Sequence, residues 1–88
     1  MFSLSDKIKY YKSRYGLQDG NKRNYAKGFV HGSSGHLTRW HERENKQVLS
    51  YLKTELKHAK NEVDRQNLAE SISYHKGVLA GYSAKMKS

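Results

Sequence analysis

Residues 74–85 read YHKGVLAGYSAK, and the predicted fold is built around this stretch. Forty-nine residues earlier the chain carries a second version of it, residues 25–36, which read YAKGFVHGSSGH. Aligned without gaps, both follow the pattern Tyr-x-Lys-Gly-apolar-apolar-x-Gly-x-Ser. Residues three and four apart share one face of a helix. The tyrosine and the two glycines of each copy therefore form a narrow strip, with a groove where side chains are missing.

Glycine strips of this kind predict close contact between helices. A glycine inside a helix is about 1 kcal/mol less favourable than an alanine, so these glycines are expected where a second backbone comes near. Contact within one chain and contact between the subunits of a homodimer both satisfy the pattern, and chance similarity in a chain rich in Tyr and Lys is the alternative. The residues predicted to form a helix-packing or dimer interface are Tyr25, Gly28, Gly32, Tyr74, Gly77 and Gly81.

The composition limits the size and class of the fold. With 88 residues, 35% of them hydrophobic, the chain is expected to form one small helical domain over 1–88 with a thin core. The lack of Pro and the abundance of Lys, Leu, Glu and Ala favour helix. The lack of Cys excludes disulfides and thiolate metal sites. No apolar run approaches the ~20 residues that span a bilayer, so we expect no membrane partner and a cytoplasmic location.

Four helices are predicted from the spacing of apolar residues and from the stop signals between them. The first covers 4–15 and the second 22–32, with the turn residues Asp19-Gly20-Asn21 between them. A third is expected from about 36 to 60, capped by Ser33 or Ser34. The side chains expected on the packed faces of the first and third helices are Leu4, Ile8, Tyr11, Tyr15, Leu37, Trp40, Val48, Leu49, Leu52, Leu56, Ala59 and Val63.

A turn near Asn61 is predicted to separate the third helix from a fourth. Basic residues at 57, 58 and 60 precede it and acidic residues at 62 and 64 follow it, the arrangement that stabilises a helix end followed by a helix start. The apolar stripe also changes phase, because the step from Val63 to Leu68 is five residues. One unbroken helix is the alternative, since neither Gly nor Pro intervenes.

The fourth helix, 62–86, is predicted to have two packing faces. One is a seam at alternating steps of four and three, the spacing of a packed helix pair, and the other is the glycine strip. The seam is expected to meet the third helix, and the strip the first glycine motif or a second chain. The predicted fold class is all-α: a long helical hairpin with two short N-terminal helices packed across it. The seam residues are Leu68, Ile72, His75, Leu79, Tyr82 and Met86.

Positive charge is concentrated at the two ends of the chain. The net charge is +9, of which residues 1–41 carry +6 and residues 71–88 carry +3. A basic surface predicts nucleic acid or an acidic protein surface as the partner, because cations neutralise phosphates and tyrosine rings stack on unpaired bases. The residues predicted to bind such a partner are Lys7, Lys9, Tyr10, Lys12, Arg14, Lys22, Arg23, Lys27, Arg39, Trp40 and Arg43.

No catalytic or metal-binding pattern is recognisable in the sequence. His36 and His41 are five residues apart and do not form the i, i+4 pair of a zinc site. The Gly28-x-x-x-Gly32 segment lacks the Gly-Lys-Ser/Thr that completes a phosphate-binding loop. We therefore expect a protein that is not an enzyme and has no cofactor and no metal, with histidines at the surface or in helix interfaces.

The chain resembles the small orphan accessory proteins of phages and prophages. It is short, free of Cys and rich in Lys and Tyr, and it carries Tyr-x-x-Gly-x-x-x-Gly segments at 25–32 and 74–81. The resemblance implies a protein that acts by binding a host enzyme or nucleic acid, in the host cytoplasm. Two functions remain open: a nucleic-acid-binding protein that contacts phosphates through its basic, Tyr-rich N-terminal region, and an inhibitor or protein-interaction module that occupies an acidic site on a host enzyme.

Overall fold

The computed structural model describes residues 4–34 and 38–87, apart from the side chains of Leu4, Ser5 and Tyr11. It contains α1 (Leu4–Tyr15), α2 (Asn21–Gly32), α3 (Arg39–His58) and α4 (Glu62–Lys87). The predicted all-α class is confirmed, and these two ranges contain no strand. They also contain no helix that is both long and apolar enough to cross a bilayer.

The helix α4 is the element on which the other three pack. Helices α1, α2 and α3 each contact it, and no other pair of helices comes into backbone contact within the described ranges. Helices α3 and α4 form the predicted hairpin, and α1 and α2 lie across α4. The contact between α2 and α4 is more extensive than the contact within the hairpin.

The turn between α3 and α4 is built by Asn61. The Asp64 backbone N–H donates to Asn61 Oδ1 at 2.8 Å, and Asn61 Nδ2 donates to Asp64 Oδ2 at 3.0 Å. Asn61 therefore satisfies one of the free N–H groups at the start of α4, next to an acidic residue that the helix dipole favours. The hairpin is confirmed, and the single unbroken helix is excluded. The expectation that Val63 continues the α3 stripe is wrong, because it lies beyond this turn and is 70% exposed.

Helix α3 begins later than the sequence predicts. Thr38, rather than Ser33 or Ser34, is its N-cap, and the Thr38 backbone N–H donates to Nδ1 of His41 at 3.2 Å. Trp40 does not anchor the start of the helix in the core, since it is 65% exposed. The predictions that concern the side chains of Leu4 and Tyr11, and residues 36 and 37, fall outside the described part of the chain.

The hydrophobic core lies where α1, α3 and α4 meet. Its buried members are Ile8, Leu49, Leu52, Ala59, Leu68 and Ile72, with Val48, Leu56 and Leu79 packed against them. The α4 seam therefore faces α3 as predicted over most of its length. Its last member, Met86, is 65% exposed, because α4 continues there past the start of α3.

Helices α2 and α4 cross with their backbones in direct contact. A Cβ built on Gly28 would lie 2.0 Å from the carbonyl oxygen of Tyr74, and a Cβ built on Gly77 would lie 2.2 Å from that of Tyr25. One turn later, a Cβ built on Gly32 would lie 1.9 Å from the carbonyl oxygen of Val78. A Cβ built on Gly81 would lie 2.2 Å from the carbonyl oxygen of Phe29.

These four contacts obey the internal repeat. A shift of 49 residues converts the contact of Gly28 with Tyr74 into that of Tyr25 with Gly77, so the two helices are related by a local two-fold relation. The contacts advance in the same direction along both helices, and α2 therefore runs parallel to α4. At each glycine, the hydrogen that a side chain would replace points at a carbonyl oxygen, which is the geometry of a Cα–H···O=C interaction. The structure thus places this interface inside one chain.

Candidate functional site

Helix α1 carries a cation, a ring and a second cation on its solvent side. Lys7, Tyr10 and Arg14 follow one another at steps of three and four and so share a face, while Ile8 on the other side is buried in the core. The Tyr10 side chain is 61% exposed. Arg14 Nη1 donates a long hydrogen bond of 3.5 Å to Tyr10 Oη, and this bond raises the pKa of Arg14. We call Lys7, Tyr10 and Arg14 the α1 strip.

Lys12 does not belong to this exposed surface. Its Nζ lies 3.0 Å from Glu70 Oε1, 3.1 Å from Asp19 Oδ1 and 2.8 Å from Asn67 Oδ1, and its side chain is 15% exposed. Burial opposes the Lys12 charge, but the hydrogen bonds to Glu70 and Asp19 prevail and raise its pKa. The expected exposure of Lys12 is wrong, because one helical turn after Ile8 is the packed side of α1. That Lys12 binds a partner stays a prediction.

Glu70 and Asn24 attach the loop between α1 and α2 to α4. The buried Glu70 accepts from the Gly20 backbone N–H as well as from Lys12. Burial alone would raise the pKa of Glu70, but these hydrogen bonds hold it below the ordinary value. Asn24, fully buried, donates to the Gln18 carbonyl at 2.7 Å and accepts from the Gln18 N–H at 3.1 Å. Neither residue is predicted from the sequence as a site residue, although Asn24 lies on the face of the glycine strip.

The other predicted cations of α1 and α2 differ in their surroundings. Lys9 and Lys22 are exposed. Arg23 is also exposed and donates to the Gln18 side chain at 3.1 Å. Lys27 is half-buried and donates to the backbone carbonyl of Gly16, so its charge is partly used to hold the loop between α1 and α2.

The predicted residues of α3 are exposed on the first turns of that helix. They are Arg39, Trp40 and Arg43. Arg39 lines a shallow groove with Tyr82 and Lys87 at the end of α4, and no residue of the α1 strip lines that groove. The Trp40 ring packs edge-on against the His41 ring, with the centroids 5.5 Å apart.

A cleft of about 200 Å³ opens where all four helices come together. We call it the four-helix cleft. The main residues that line this cleft are Arg14 and Tyr15 from α1, His31 from α2, His41 and Glu44 from α3, and Tyr74 from α4. Arg14 therefore belongs both to the α1 strip and to the rim of the cleft.

Aromatic rings form one side of the four-helix cleft. The ring centroids of Tyr15 and Tyr74 lie 5.5 Å apart, and those of His31 and Tyr74 lie 5.7 Å apart. His31 Nδ1 is hydrogen bonded to Tyr74 Oη at 2.9 Å, which fixes the imidazole against the phenol. Burial raises the pKa of both Tyr15 and Tyr74, so both are neutral phenols at pH 7.

Helix α3 supplies a hydrogen-bond donor and an acceptor to the same cleft. His41 Nδ1 accepts from the Thr38 N–H, which leaves the proton of the neutral imidazole on Nε2. Glu44 follows three residues later on the same face, and an ionised carboxylate only accepts. The cleft thus combines ring faces, a ring N–H, a carboxylate and, at its rim, a guanidinium.

His75 lies directly behind the cleft wall and was predicted only as a seam residue. Its side chain is fully buried, and its ring centroid lies 4.9 Å from that of Tyr15. Asn45 Nδ2 donates to the His41 carbonyl, so Asn45 Oδ1 accepts from His75 Nδ1–H at 2.8 Å. His75 Nε2 has no hydrogen-bond partner among the described residues. Burial lowers the pKa of His75 to about 4, so the ring is neutral at pH 7.

The donor set of the cleft does not form a metal site. In the described part of the chain, no group of three or more His, Cys, Asp or Glu side chains is arranged to hold a metal ion. His41 also has its proton on Nε2, the nitrogen that would have to be a ligand. Comparison with protein-family models, with curated proteins and with solved structures finds no match for this chain. The function is therefore inferred from the geometry of the site itself.

Proposed function

We propose that this protein binds nucleic acid through the α1 strip and is not an enzyme. The observation that carries the proposal is the Tyr10 ring, which is 61% exposed and lies between Lys7 and Arg14 on the solvent side of α1. Exposed aromatic rings stack on unpaired bases, and flanking cations neutralise the phosphates on either side. This pairing of groups is typical of surfaces that bind single strands.

The charge distribution supports the same proposal. Residues 1–41 carry +6 of the net +9, and Lys9, Lys22 and Arg23 are exposed within that segment. A surplus of one sign raises the local concentration of a polyanion and speeds its association, over the ~8 Å that charges reach at physiological salt. Lys12 adds little to this attraction, because its charge is compensated by Glu70 and Asp19.

The test compares the doubly substituted Lys7→Gln/Arg14→Gln protein with a control that loses the same charge elsewhere. Lys53 and Lys57 are exposed on α3, and Lys53→Gln/Lys57→Gln is that control. Binding to labelled single strands is measured by fluorescence anisotropy over a range of salt concentrations. Each lost phosphate contact lowers the slope of log K against log salt by about 0.7, so the α1 variant should lose about 1.4 from the slope and the control much less.

The Tyr10→Ala variant tests the ring separately. Stacking on one base contributes roughly 1–3 kcal/mol, so affinity should fall at least about fivefold while the slope against salt stays unchanged. Equal slopes for the α1 variant and the control, together with full affinity of the Tyr10 variant, would place any nucleic-acid contact elsewhere.

A protein partner is the second candidate, and the outer side of α2 favours it. Tyr25, Phe29 and Val30 are apolar there and 43%, 38% and 66% exposed, and the neighbouring Lys22 and Arg23 suit an acidic site on a larger enzyme. Capture of one stoichiometric protein after nuclease treatment would support an inhibitor or interaction module. Loss of that capture on Phe29→Asp/Val30→Asp substitution, but not on Tyr10→Ala, would assign it to α2.

A further inference from the structure

We propose that the four-helix cleft receives one unstacked guanine base of a single strand whose backbone lies on the α1 strip. This inference rests on the proposed function and adds a base preference to it. Arg14 provides the physical connection, because the same guanidinium ends the α1 strip and lines the cleft. A phosphate held by Arg14 leaves its base beside the cleft mouth.

The size of the cleft selects a single planar group. Its volume is about 200 Å³, and since one water takes about 30 Å³ of liquid, the cleft corresponds to roughly seven waters. That is room for one base but not for a drug-sized ligand, whose pockets run from about 300 Å³ upwards. Tyr15, Tyr74 and His31 line one side of the cleft and pack on one another there. A base would rest against this aromatic wall, as unstacked bases do on aromatic side chains.

The polar groups of α3 select the base. The Watson–Crick edge of guanine presents two adjacent N–H donors, at N1 and N2, followed by the acceptor O6. The Glu44 carboxylate has two oxygens that accept a parallel pair of donors, and the Nε2–H of His41 matches O6. Adenine and cytosine present one amino donor next to a bare ring nitrogen, which repels a carboxylate. Uracil and thymine present a single N–H between two carbonyl oxygens.

Two features keep these groups in place before a ligand arrives. His41 is oriented by its bond to the Thr38 N–H at the cap of α3. The adjoining Asn45 is held between the His41 carbonyl and the buried His75. His41 and Asn45 are therefore held by two hydrogen bonds within α3 and its cap and by one to α4, and these two side chains have little conformational freedom left to lose on binding.

The experiment measures the affinity of labelled pyrimidine heptamers that carry a central guanine, adenine or hypoxanthine, in both ribose and deoxyribose forms. Hypoxanthine lacks the N2 amino group and should bind between the other two. The protein is used as the parent, as Glu44→Gln and as the matched control Glu42→Gln. Glu42 lies on the same helix, outside the cleft, and the control produces the same change in charge.

Parent and Glu42→Gln should prefer guanine over adenine by about fivefold or more, the range of a good bidentate base contact. Glu44→Gln should lose most of that preference and keep the parent melting temperature. Binding without base preference, or a preference that survives in Glu44→Gln, overturns the cleft inference and leaves the proposed function intact. Absence of binding to every strand at low salt overturns the proposed function, and with it this inference.

Discussion

Replacing Gly28 with alanine tests the α2–α4 crossing with the smallest change available. The added Cβ would lie 2.0 Å from the Tyr74 carbonyl oxygen and 2.9 Å from the Val78 nitrogen, whereas ordinary contact begins near 3.4 Å. Both atoms belong to the backbone of α4, so no side-chain rotation makes room for the methyl group. The helices must move apart by more than 1 Å at this point.

The sign of the effect follows from one favourable and two unfavourable contributions. Alanine is about 1 kcal/mol more favourable than glycine within a helix. Against this, forcing an extra methyl group into a packed interface costs typically 1–3 kcal/mol and occasionally more. Separation of the helices also weakens four Cα–H···O contacts of about 0.5–1 kcal/mol each. We expect Gly28→Ala to lower the free energy of unfolding by about 2–3 kcal/mol.

A loss of this size is a large part of the stability of a small domain, which is typically 5–15 kcal/mol. For a chain of this length each kcal/mol shifts Tm by about 4–8 °C, so Tm should fall by on the order of 10–20 °C. The measurement is thermal and urea unfolding followed by circular dichroism. The repeat makes Gly77→Ala an independent replicate, because its Cβ would meet Tyr25 at 2.2 Å.

Ala26→Gly is the matched control, since Ala26 is exposed on the same helix. It should destabilise by about 1 kcal/mol, the propensity difference alone. Glycine to alanine at position 28 and alanine to glycine at position 26 should therefore both destabilise the protein, although they are opposite changes on the same helix. A Gly28→Ala protein that melts at or above the parent temperature would refute the close crossing.

Lys12→Met should lower the free energy of unfolding by about 3 kcal/mol in urea titrations, because it leaves the buried Glu70 carboxylate without its counter-charge. His75 should make stability fall with acidification: its folded pKa is about 4 against an ordinary 6.5, so the unfolded chain takes up the proton first. Between pH 6.5 and pH 5 the free energy of unfolding should drop by about 1.6 kcal/mol, because the slope approaches 1.36 kcal/mol per pH unit only once the unfolded imidazole is mostly protonated.

Each of these two predictions has its own control. Lys9→Met removes an exposed cation from the same helix and should change stability by less than about 0.5 kcal/mol; equal effects at positions 9 and 12 would contradict the buried ion pair. His75→Gln should flatten the dependence between pH 6.5 and pH 5. Glu70 cannot produce that dependence, since its pKa lies below 4.5 in the folded chain. A His75→Gln profile as steep as the parent profile would assign the titration to another histidine.

The elements that the sequence predicts well are those governed by local spacing. Helix ends depend on caps and turn residues within a few positions. The turn at Asn61 is predicted by the basic residues before it and the acidic residues after it. The glycine strip predicts contact because its two glycines are four residues apart and so leave a gap on one face of the helix. The spacing does not tell how near the helices come, and the approach is so close that a methyl group is already too large.

The parts that the sequence does not predict depend on pairs that are distant in the chain. A lysine is expected at the surface. The position of Lys12, one turn after Ile8, indicates burial only if an acidic side chain on another helix compensates its charge. That partner is Glu70, 58 residues away, and nothing in the local pattern of either residue selects the other. The four-helix cleft is even harder to predict from the sequence, because its lining residues come from all four helices and its volume depends on how the helices pack.

The repeat also separates the residues that hold the crossing from those that build the cleft. Positions alike in both copies, the glycines above all, meet at the α2–α4 contact. At two positions where the copies differ, one copy has a histidine near the cleft and the other has an alanine. His31 corresponds to Ala80, and His75 corresponds to Ala26. Tyr74 is 6% exposed against the cleft wall, whereas its equivalent Tyr25 is 43% exposed, because α1 and α3 cover only the α4 copy. The symmetry of the crossing is therefore broken on the side that α1 and α3 cover, and among the described residues His31 and His75 lie at or behind the four-helix cleft on that side.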